Sequence, residues 1–127
     1  MGKRKRLYSE RIKRNKEIFS IFKKVRISPK KIRATINLIK GKNVFYVLNL
    51  LDNFLSFKIS IIFKKIIKSA IYNYINKNGE ISFKDIYIKN IIVNSSGYYK
   101  RIKYAPMGRC HMIKKRLSYI KIIINKR

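Results

Sequence analysis

Acidic side chains are scarce in this sequence. Five of its 127 residues are Asp or Glu, against 33 Lys and Arg, so the formal net charge is +28. No acid follows Asp85, although the last 42 residues carry 11 cations. Because a free globular protein with this charge would repel itself, a polyanionic partner is expected. Nucleic acid is the first candidate for that partner, and an anionic membrane surface is the second.

Cysteine and histidine are each present once, and this excludes several kinds of site. A single cysteine, Cys110, cannot form an intramolecular disulfide or a cysteine-based zinc site. His111 follows it directly, and neighbours on a strand point to opposite faces, which argues against a Cys–His nucleophile pair. The few carboxylates are scattered along the chain. The sequence therefore predicts neither an enzyme nor a metal or cofactor site.

Long apolar runs are also missing. No run approaches the ~20 residues that a helix needs to span a bilayer, and residues 1–24 lack the apolar core of a secretory signal. Hydrophobic residues nevertheless make up 46% of the chain and aromatic residues 13%, enough for a packed core. A folded body with this much positive charge is typical of histones and ribosomal proteins, and untypical of enzymes.

Residue usage is biased in a second way. There are 25 Ile, 23 Lys and 11 Asn, but only three Ala. Codons for the favoured residues are A/T-rich, so we infer an A/T-biased genome, such as that of a plastid or another organelle. That bias raises the numbers of Lys and Ile, but it does not explain the shortage of acids.

The chain is predicted to begin with a basic extension over residues 1–22. It contains KRKR at 3–6 and RIKRNK at 11–16. It could be an RNA-contacting arm, part of it a weakly amphipathic helix, or a solvated tail. A single domain is expected over 23–127. KVRIS at 24–28 alternates polar and apolar side chains and predicts a short strand.

Three helices are predicted next. Ser28 suits a capping position with its hydroxyl, Pro29 suits the first helical position, and Gly41 suits a position just past the end. Apolar residues at helical spacing predict a second helix over 44–51 and a third over 59–74. The three helices would present their apolar faces to a common core.

Two strands are predicted in the last third of the chain. IYIKNIIV at 86–93 and LSYIKIIIN at 117–125 are rich in β-branched and aromatic residues, and they would pair as a hairpin over about 86–124. The predicted fold class is α+β, with about three helices packed on a small antiparallel sheet and a long protruding β-hairpin.

The segment between these strands, KRIKYAPMGRCHMIKKR at 100–116, carries seven cations and no acid. Folding it symmetrically places the turn near Ala105, beside the turn residues Pro106 and Gly108, so the tip is expected at about 104–108. Each arm of about 13 residues would span roughly 40 Å at ~3.3 Å per residue, against a radius of gyration of ~13 Å for a 100-residue domain. The hairpin is therefore expected to project or to curl over the surface, and phosphates are expected to complete its order.

Three motifs resemble those of the bacterial-type large-subunit ribosomal protein L-twenty-two family. They are ISPKKIR…LIKGK at 27–42, KSAIYNYINKNG at 68–79, and KRI…GRCHMIKKRLSYIKIII at 100–124. They occur in the family's order between about Lys24 and Ile124. The resemblance implies a structural protein that binds 23S-type rRNA, supports subunit assembly, and contacts neighbouring ribosomal proteins. It also implies that the hairpin lines the nascent-peptide exit tunnel.

Charge and the matched motifs together give a set of candidate binding residues. Those expected to contact rRNA are Lys24, Arg26, Lys30, Lys31, Arg33, Lys100, Arg101, Lys103, Arg109, Lys114, Lys115 and Arg116. Those expected at the tunnel tip are Tyr104, Ala105, Pro106, Met107 and Gly108. At the tip the chain departs from the family, because Tyr-Ala-Pro stands where Pro-Arg-Ala is usual. No cofactor, membrane contact or homo-oligomer is expected.

Two other functions are compatible with the composition. One is a basic architectural protein that binds nucleic acid outside the ribosome. The other is a peripheral membrane protein that uses a basic helix face, although the apolar stripe of the long helix is needed for the core. The ordered motifs favour the ribosomal interpretation, with the large subunit of an organellar ribosome as the expected location.

Overall fold

The computed structural model describes residues 17–53, 56–79 and 83–126. Its elements, in chain order, are β1 (Ile18–Val25), α1 (Pro29–Ile39), α2 (Val44–Asn53), α3 (Phe57–Asn78), a 3-10 turn (Phe83–Asp85), β2 (Ile86–Tyr104) and β3 (Cys110–Lys126). The strands form one antiparallel sheet in the order β1-β3-β2. The predicted α+β class is confirmed. Most of the predicted basic extension, residues 1–16, lies outside the described residues.

Helix α1 begins at a proline and is followed by a glycine, as predicted. Pro29 occupies the first turn, where its missing N–H costs no helical hydrogen bond, and Gly41 has a φ of +79°, in the left-handed region. Ile32 and Ile39 form the buried face. Ser28 occupies the predicted N-cap position, but its hydroxyl makes no capping hydrogen bond.

The loop between α1 and α2 is tied to the sheet. Asn43 precedes α2, and its Oδ1 accepts a hydrogen bond from the Phe45 N–H at 2.8 Å, which satisfies one free donor at the helix start. The Asn43 side-chain amide donates to the Lys84 carbonyl. The Gly41 N–H donates to the Ile88 carbonyl of β2 at 2.9 Å. These bonds fix both helices relative to β2.

Helix α3 is the longest helix of the described residues. It has 22 residues, several more than the predicted 59–74, and it ends at Gly79, whose φ is +78°. Phe63, Ile66 and Ile67 are fully buried at the centre of one core that also includes the inward face of the sheet. The helix lies against β1 and β3, while α1 lies against β2 and β3.

Strand β1 differs from its prediction. The expected strand at 24–28 overlaps β1 only at residues 24–25, since the chain is extended from Ile18 to Val25 and pairs with β3. The weak helix considered for the basic extension does not form over 18–22, and the rest of that extension lies outside the described residues. The predicted start of the domain at residue 23 falls inside this strand. One inward position is Ser20, whose hydroxyl donates to the Ser69 hydroxyl of α3 at 3.0 Å. Because Ser20 is polar but buried, β1 does not show the alternation of apolar and polar residues by which a strand is predicted from sequence.

Strands β2 and β3 form one continuous hairpin of 19 and 17 residues. The strands run through the basic segment that composition alone did not assign to strand. From Asn94 outward almost every side chain of β2 is exposed, as is nearly every side chain of β3 before Leu117. At ~3.3 Å per residue, the ten residues up to Tyr104 extend roughly 33 Å beyond the core.

The turn lies slightly later than the predicted 104–108. Tyr104 pairs with Cys110, and the Ala105 N–H donates to the Arg109 carbonyl at 2.9 Å, so residues 105–109 form the turn. Met107 and Gly108 at its centre have φ values of +61° and +67°. Two irregularities in β2 each insert one extra residue opposite β3, and these shift the midpoint of the hairpin along the chain.

Candidate nucleic-acid interface

An open groove of about 920 Å³ lies at the base of the hairpin. Its walls come from the β1–α1 connection (26–31), the start of α3 (56–59) and the hairpin itself (99–117), which are distant in sequence. We call this surface the basic groove. Its cationic residues are Arg26, Lys31, Lys58, Arg101, Lys114, Lys115 and Arg116.

Among the residues that the structure describes, the basic groove is lined by seven cations and no carboxylate. Two acids of the described residues are already paired elsewhere: Glu17 accepts from Lys89 at 2.6 Å, and Asp52 forms an ion pair with Lys64. Seven like charges in one open groove repel one another and create a positive potential that attracts anions. Phosphate groups, spaced along a nucleic-acid backbone, are the anions that such a surface fits best.

The β1–α1 connection is held against the hairpin by a buried hydroxyl. Ser118 of β3 is fully buried, and its Oγ donates to the Ile27 carbonyl. The Ile27 N–H in turn donates to the Val25 carbonyl at 2.8 Å, which closes a tight turn. These bonds place Arg26 on one side of the turn and Lys31 on the first turns of α1, both exposed toward the groove.

Aromatic rings accompany the cations on the hairpin. Lys114 Nζ lies 4.9 Å from the centre of the Tyr98 ring, and the Arg101 guanidinium lies 6.0 Å from that of Tyr99. Cation–π contacts of this kind hold long side chains over the strand surface while leaving the charge accessible. Tyr99 also lines the groove, where its ring could stack on a base.

Lys58 is a groove residue that sequence reasoning missed. It lies in the first turn of α3, which contains no acidic residue. A cation there is unfavourable for the helix dipole. The first turn of α1 likewise carries Lys30 and Lys31 and no acid, so this conflict is a local signal that could have drawn attention to Lys58.

Half of the predicted contact residues lie outside the basic groove. Arg33 is the clearest case, because its Nε and Nη2 donate to the Val93 carbonyl at 3.3 and 2.9 Å and tie α1 to β2. Lys24 is exposed, with a φ of +54°, at the irregularity in β1. Lys30 is exposed on α1. The others, Lys100, Lys103 and Arg109, are exposed along the hairpin or at its turn.

The predicted tip residues are among the most exposed of the described chain. Tyr104 is 86% exposed and Met107 is 93% exposed, and only Ala105 is half-buried. Pro106 and Gly108 complete the turn without contributing a charged group. Residues 104–108 are thus uncharged, and Arg109 is the only cation within 104–110.

Comparison with known proteins identifies the family. The model of the family "Ribosomal protein L22p/L17e" matches residues 20–125, which include all three strands and all three helices of the described residues apart from the first residues of β1 and the last of β3. The chain belongs to the ribosomal protein L22p/L17e family. The matched residues include all those that line the basic groove and the whole exposed part of the hairpin.

Individual relatives of this L22p/L17e chain carry the name large ribosomal subunit protein uL22. The protein of Fervidobacterium nodosum is 41% identical over 103 residues, covering 81% of this chain and 69% of the relative. That of a Thermoanaerobacter species is 35% identical over 111 residues, covering 87% and 98%. That of Flavobacterium johnsoniae is 35% identical over 128 residues, covering 98% and 93%.

Membership of the L22p/L17e family also bears on whether this chain is an enzyme. The family is structural and non-enzymatic, which confirms the expectation that this chain is not an enzyme. Cys110 and His111 are exposed on opposite faces of β3, and the described residues contain no cluster of three or more potential metal ligands. None of the helices in the described ranges is both long and apolar enough to cross a bilayer.

Proposed function

We propose that this protein is a structural component of the large ribosomal subunit that binds large-subunit rRNA through the basic groove. The observation that carries the proposal is the convergence of seven cations from three separate parts of the chain, with no acid among the described residues that line the groove. Family membership supplies the ribosomal context, since the relatives are named as large-subunit proteins.

Binding at the basic groove depends on the folded state. Arg26 and Lys31, Lys58, and the hairpin cations come together only when β1, α3 and β3 have packed. A folded chain therefore offers a phosphate backbone many contacts at once, and rRNA that occupies the groove stabilises the fold by mass action. This coupling is what a protein that supports subunit assembly requires.

The hairpin is proposed to line the nascent-peptide exit tunnel. Its exposed part extends roughly 33 Å from the core, and a two-stranded ribbon of that length is marginally stable in water on its own. Cations on the lower part, including Lys100 and Lys114, would be neutralised by rRNA in the tunnel wall. The uncharged tip around Tyr104 and Met107 would then face the interior of the tunnel.

Neighbouring ribosomal proteins are proposed to contact a second surface of the body. A cleft of about 320 Å³ between α2 and α3 is lined mainly by apolar groups, among them Leu48 and Ile71. Phe45 and Tyr72 line it and are largely exposed. Contiguous exposed apolar surface of this kind is typical of protein–protein contacts.

An organellar source, plastid in particular, remains a prediction. It is supported by the bias toward Ile, Lys and Asn, while the relatives described above are bacterial. The location of the gene would test it: a gene in a plastid genome is expected, and a gene in a bacterial chromosome would contradict the prediction.

Sedimentation of the native protein tests the ribosomal function. In an extract of the source organism fractionated on a sucrose gradient, the protein should migrate with large subunits. Digestion with ribonuclease should release it, and digestion with deoxyribonuclease should not. Sedimentation with membranes, or release by deoxyribonuclease alone, would instead support the peripheral membrane or DNA-binding function.

A further inference from the structure

The basic groove is lined by apolar side chains as well as by cations. Ile27, Ile59 and Leu117 are among its lining residues. Ile59 and Leu117 are buried and Ile27 is half-buried, whereas all seven cations are exposed. The three aliphatic side chains therefore form the floor of the groove and the cations form its rim. We call the surface of Ile27, Ile59 and Leu117 the apolar floor.

An aromatic ring also lines the groove. Adjacent residues of a strand point to opposite faces, and of the neighbours Tyr98 and Tyr99 in β2 it is Tyr99 that lines the groove. The two rings are otherwise alike, since each is 45% exposed. Each also contacts a cation, Lys114 for Tyr98 and Arg101 for Tyr99. Tyr99 thus places an accessible aromatic ring among the cations of the rim.

A regular RNA duplex would match only part of this surface. Its bases are stacked inside, and its outside presents phosphates and 2′-hydroxyl groups. The phosphates of a duplex could reach the exposed cations, but the apolar floor and the Tyr99 ring would have no apolar partner. An unpaired nucleotide has an exposed base, and such bases stack on aromatic side chains. The chemistry of the groove therefore suits unpaired RNA better than paired RNA.

The size and shape of the groove also suit an unpaired nucleotide. Pockets for small organic ligands have volumes of roughly 300–1,000 Å³, and the open basic groove has about 920 Å³. Its cations come from both of its sides: Arg26, Lys31 and Lys58 belong to the body, while Lys115 and Arg116 belong to the hairpin. The phosphates on either side of an inserted base would each lie near cations.

We propose that the basic groove binds an unpaired nucleotide of rRNA, with its base on the apolar floor beside the Tyr99 ring and its flanking phosphates at the cations of the rim. This inference rests on the proposed function and deepens it, because it states which form of RNA the groove takes. The cations supply affinity for any RNA backbone. Tyr99 and the apolar floor supply the preference for an unpaired base.

Two RNA stem-loops that differ by one nucleotide provide the probe. Both have the same paired stem, and one of them carries a single unpaired 5-iodouridine inserted in that stem. The full chain would be titrated with each RNA in an excess of unrelated paired RNA, and binding would be followed by fluorescence anisotropy. We expect roughly 5- to 150-fold tighter binding of the RNA with the unpaired nucleotide, the range that one base–aromatic stack provides. Irradiation should crosslink the iodouracil ring to Tyr99.

The neighbouring tyrosines provide matched variants. Tyr99→Ala should remove the preference for the unpaired nucleotide and leave the affinity for the paired stem-loop unchanged. Tyr99→Phe should retain the preference, because the ring is kept. Tyr98→Ala is the control, since it also removes a ring that is 45% exposed and a cation–π contact, but at a residue that does not line the groove. Its preference should equal that of the unchanged protein.

The outcomes distinguish this inference from the proposed function. Equal affinities for the two stem-loops, equal losses from Tyr99→Ala and Tyr98→Ala, or a crosslink outside the groove would each overturn the inference. If the Lys115→Gln, Arg116→Gln variant still bound both RNAs more weakly than the unchanged protein, the groove would remain an rRNA site that contacts paired backbone. If that variant bound both RNAs as tightly as the unchanged protein, the proposed function would fail, and this inference would fail with it.

Discussion

Neutralising two groove cations should reduce the salt dependence of rRNA binding by a calculable amount. Lys115 and Arg116 are adjacent on β3, and both line the basic groove. Each phosphate contact to duplex RNA or DNA contributes roughly 0.9 to the slope of log affinity against log salt, so seven contacts give a slope of about −6. The Lys115→Gln, Arg116→Gln variant should lose about 1.8 of that slope.

The magnitude is large enough to measure. A protein with six to ten phosphate contacts loses roughly 10³–10⁵ in affinity between 50 and 200 mM salt, and two fewer contacts make that loss markedly smaller. Fluorescence anisotropy with fragments that together cover the large-subunit rRNA would give the slope. An excess of unrelated RNA is needed, because a chain of net charge +28 also binds polyanions non-specifically.

A variant with the same change in charge provides the control. Lys65 and Lys77 are exposed on α3 outside the basic groove, and the Lys65→Gln, Lys77→Gln variant also removes two charges. Its slope should stay close to that of the unchanged protein. Equal slopes for the two variants would refute the reasoning, because net charge and not the groove would then determine binding.

Three further predictions concern stability and are measured by chemical denaturation. Phe63→Ala should lower the free energy of unfolding by about 3–5 kcal/mol, since the ring is fully buried; a loss below ~1 kcal/mol would contradict the assigned core. Arg33→Lys should lower the free energy of unfolding by about 1 kcal/mol, because the paired hydrogen bonds to the Val93 carbonyl are lost. An unchanged free energy of unfolding would mean that these bonds do not hold Arg33, and its side chain would then be available to bind rRNA. The hydrogen bond to Glu17 raises the pKa of Lys89 above its ordinary 10.5. The ion pair between Lys89 and Glu17 should therefore stabilise the fold below pH 10.5, and this stabilisation should disappear as the pH rises through the higher pKa of Lys89 in the folded state. Lys89→Met should remove that decline in stability at alkaline pH. An identical decline in both proteins would contradict the ion pair.

The helices were the part of the fold that the sequence predicted best. Their apolar residues repeat at helical spacing, and Pro29 and Gly41 mark the limits of α1 through backbone geometry that does not depend on tertiary contacts. Strand β1 was missed because one of its inward positions is Ser20, which is satisfied by Ser69 only after α3 has packed on it. Since Ser69 lies 49 residues further along the chain, the sequence around Ser20 does not indicate this contact.

The hairpin was predicted in outline but not in register. Its cationic segment does not alternate apolar and polar residues, because neither face is buried there, so periodicity could not extend the strands to Tyr104 and Cys110. The two irregularities of β2 follow from backbone geometry. Only one of them contains a residue, Gly97, that could have suggested it. The expected tip was therefore one residue early.

The candidate site, like the fold, was predictable only where the signal lies in the local sequence and not in tertiary contacts. Charge and motif together picked out six of the seven groove cations, but not which cations meet. Arg33 and Arg26 look alike in sequence, yet one bonds to a backbone carbonyl and the other faces the groove. A cation in the first turn of α3 was a local signal for Lys58, but the position of that turn beside the hairpin base follows from tertiary packing alone.

Mapping protein–RNA crosslinks in intact large subunits tests the central claim most directly. Subunits purified from the source organism would be irradiated with ultraviolet light, and the crosslinked peptides of this chain would be identified by mass spectrometry. The account predicts rRNA nucleotides on peptides that contain Arg26 and Lys31, Lys58, and the hairpin segments 98–101 and 114–116. Crosslinks confined to the outer surfaces of α2 and α3, with none in the basic groove, would contradict it.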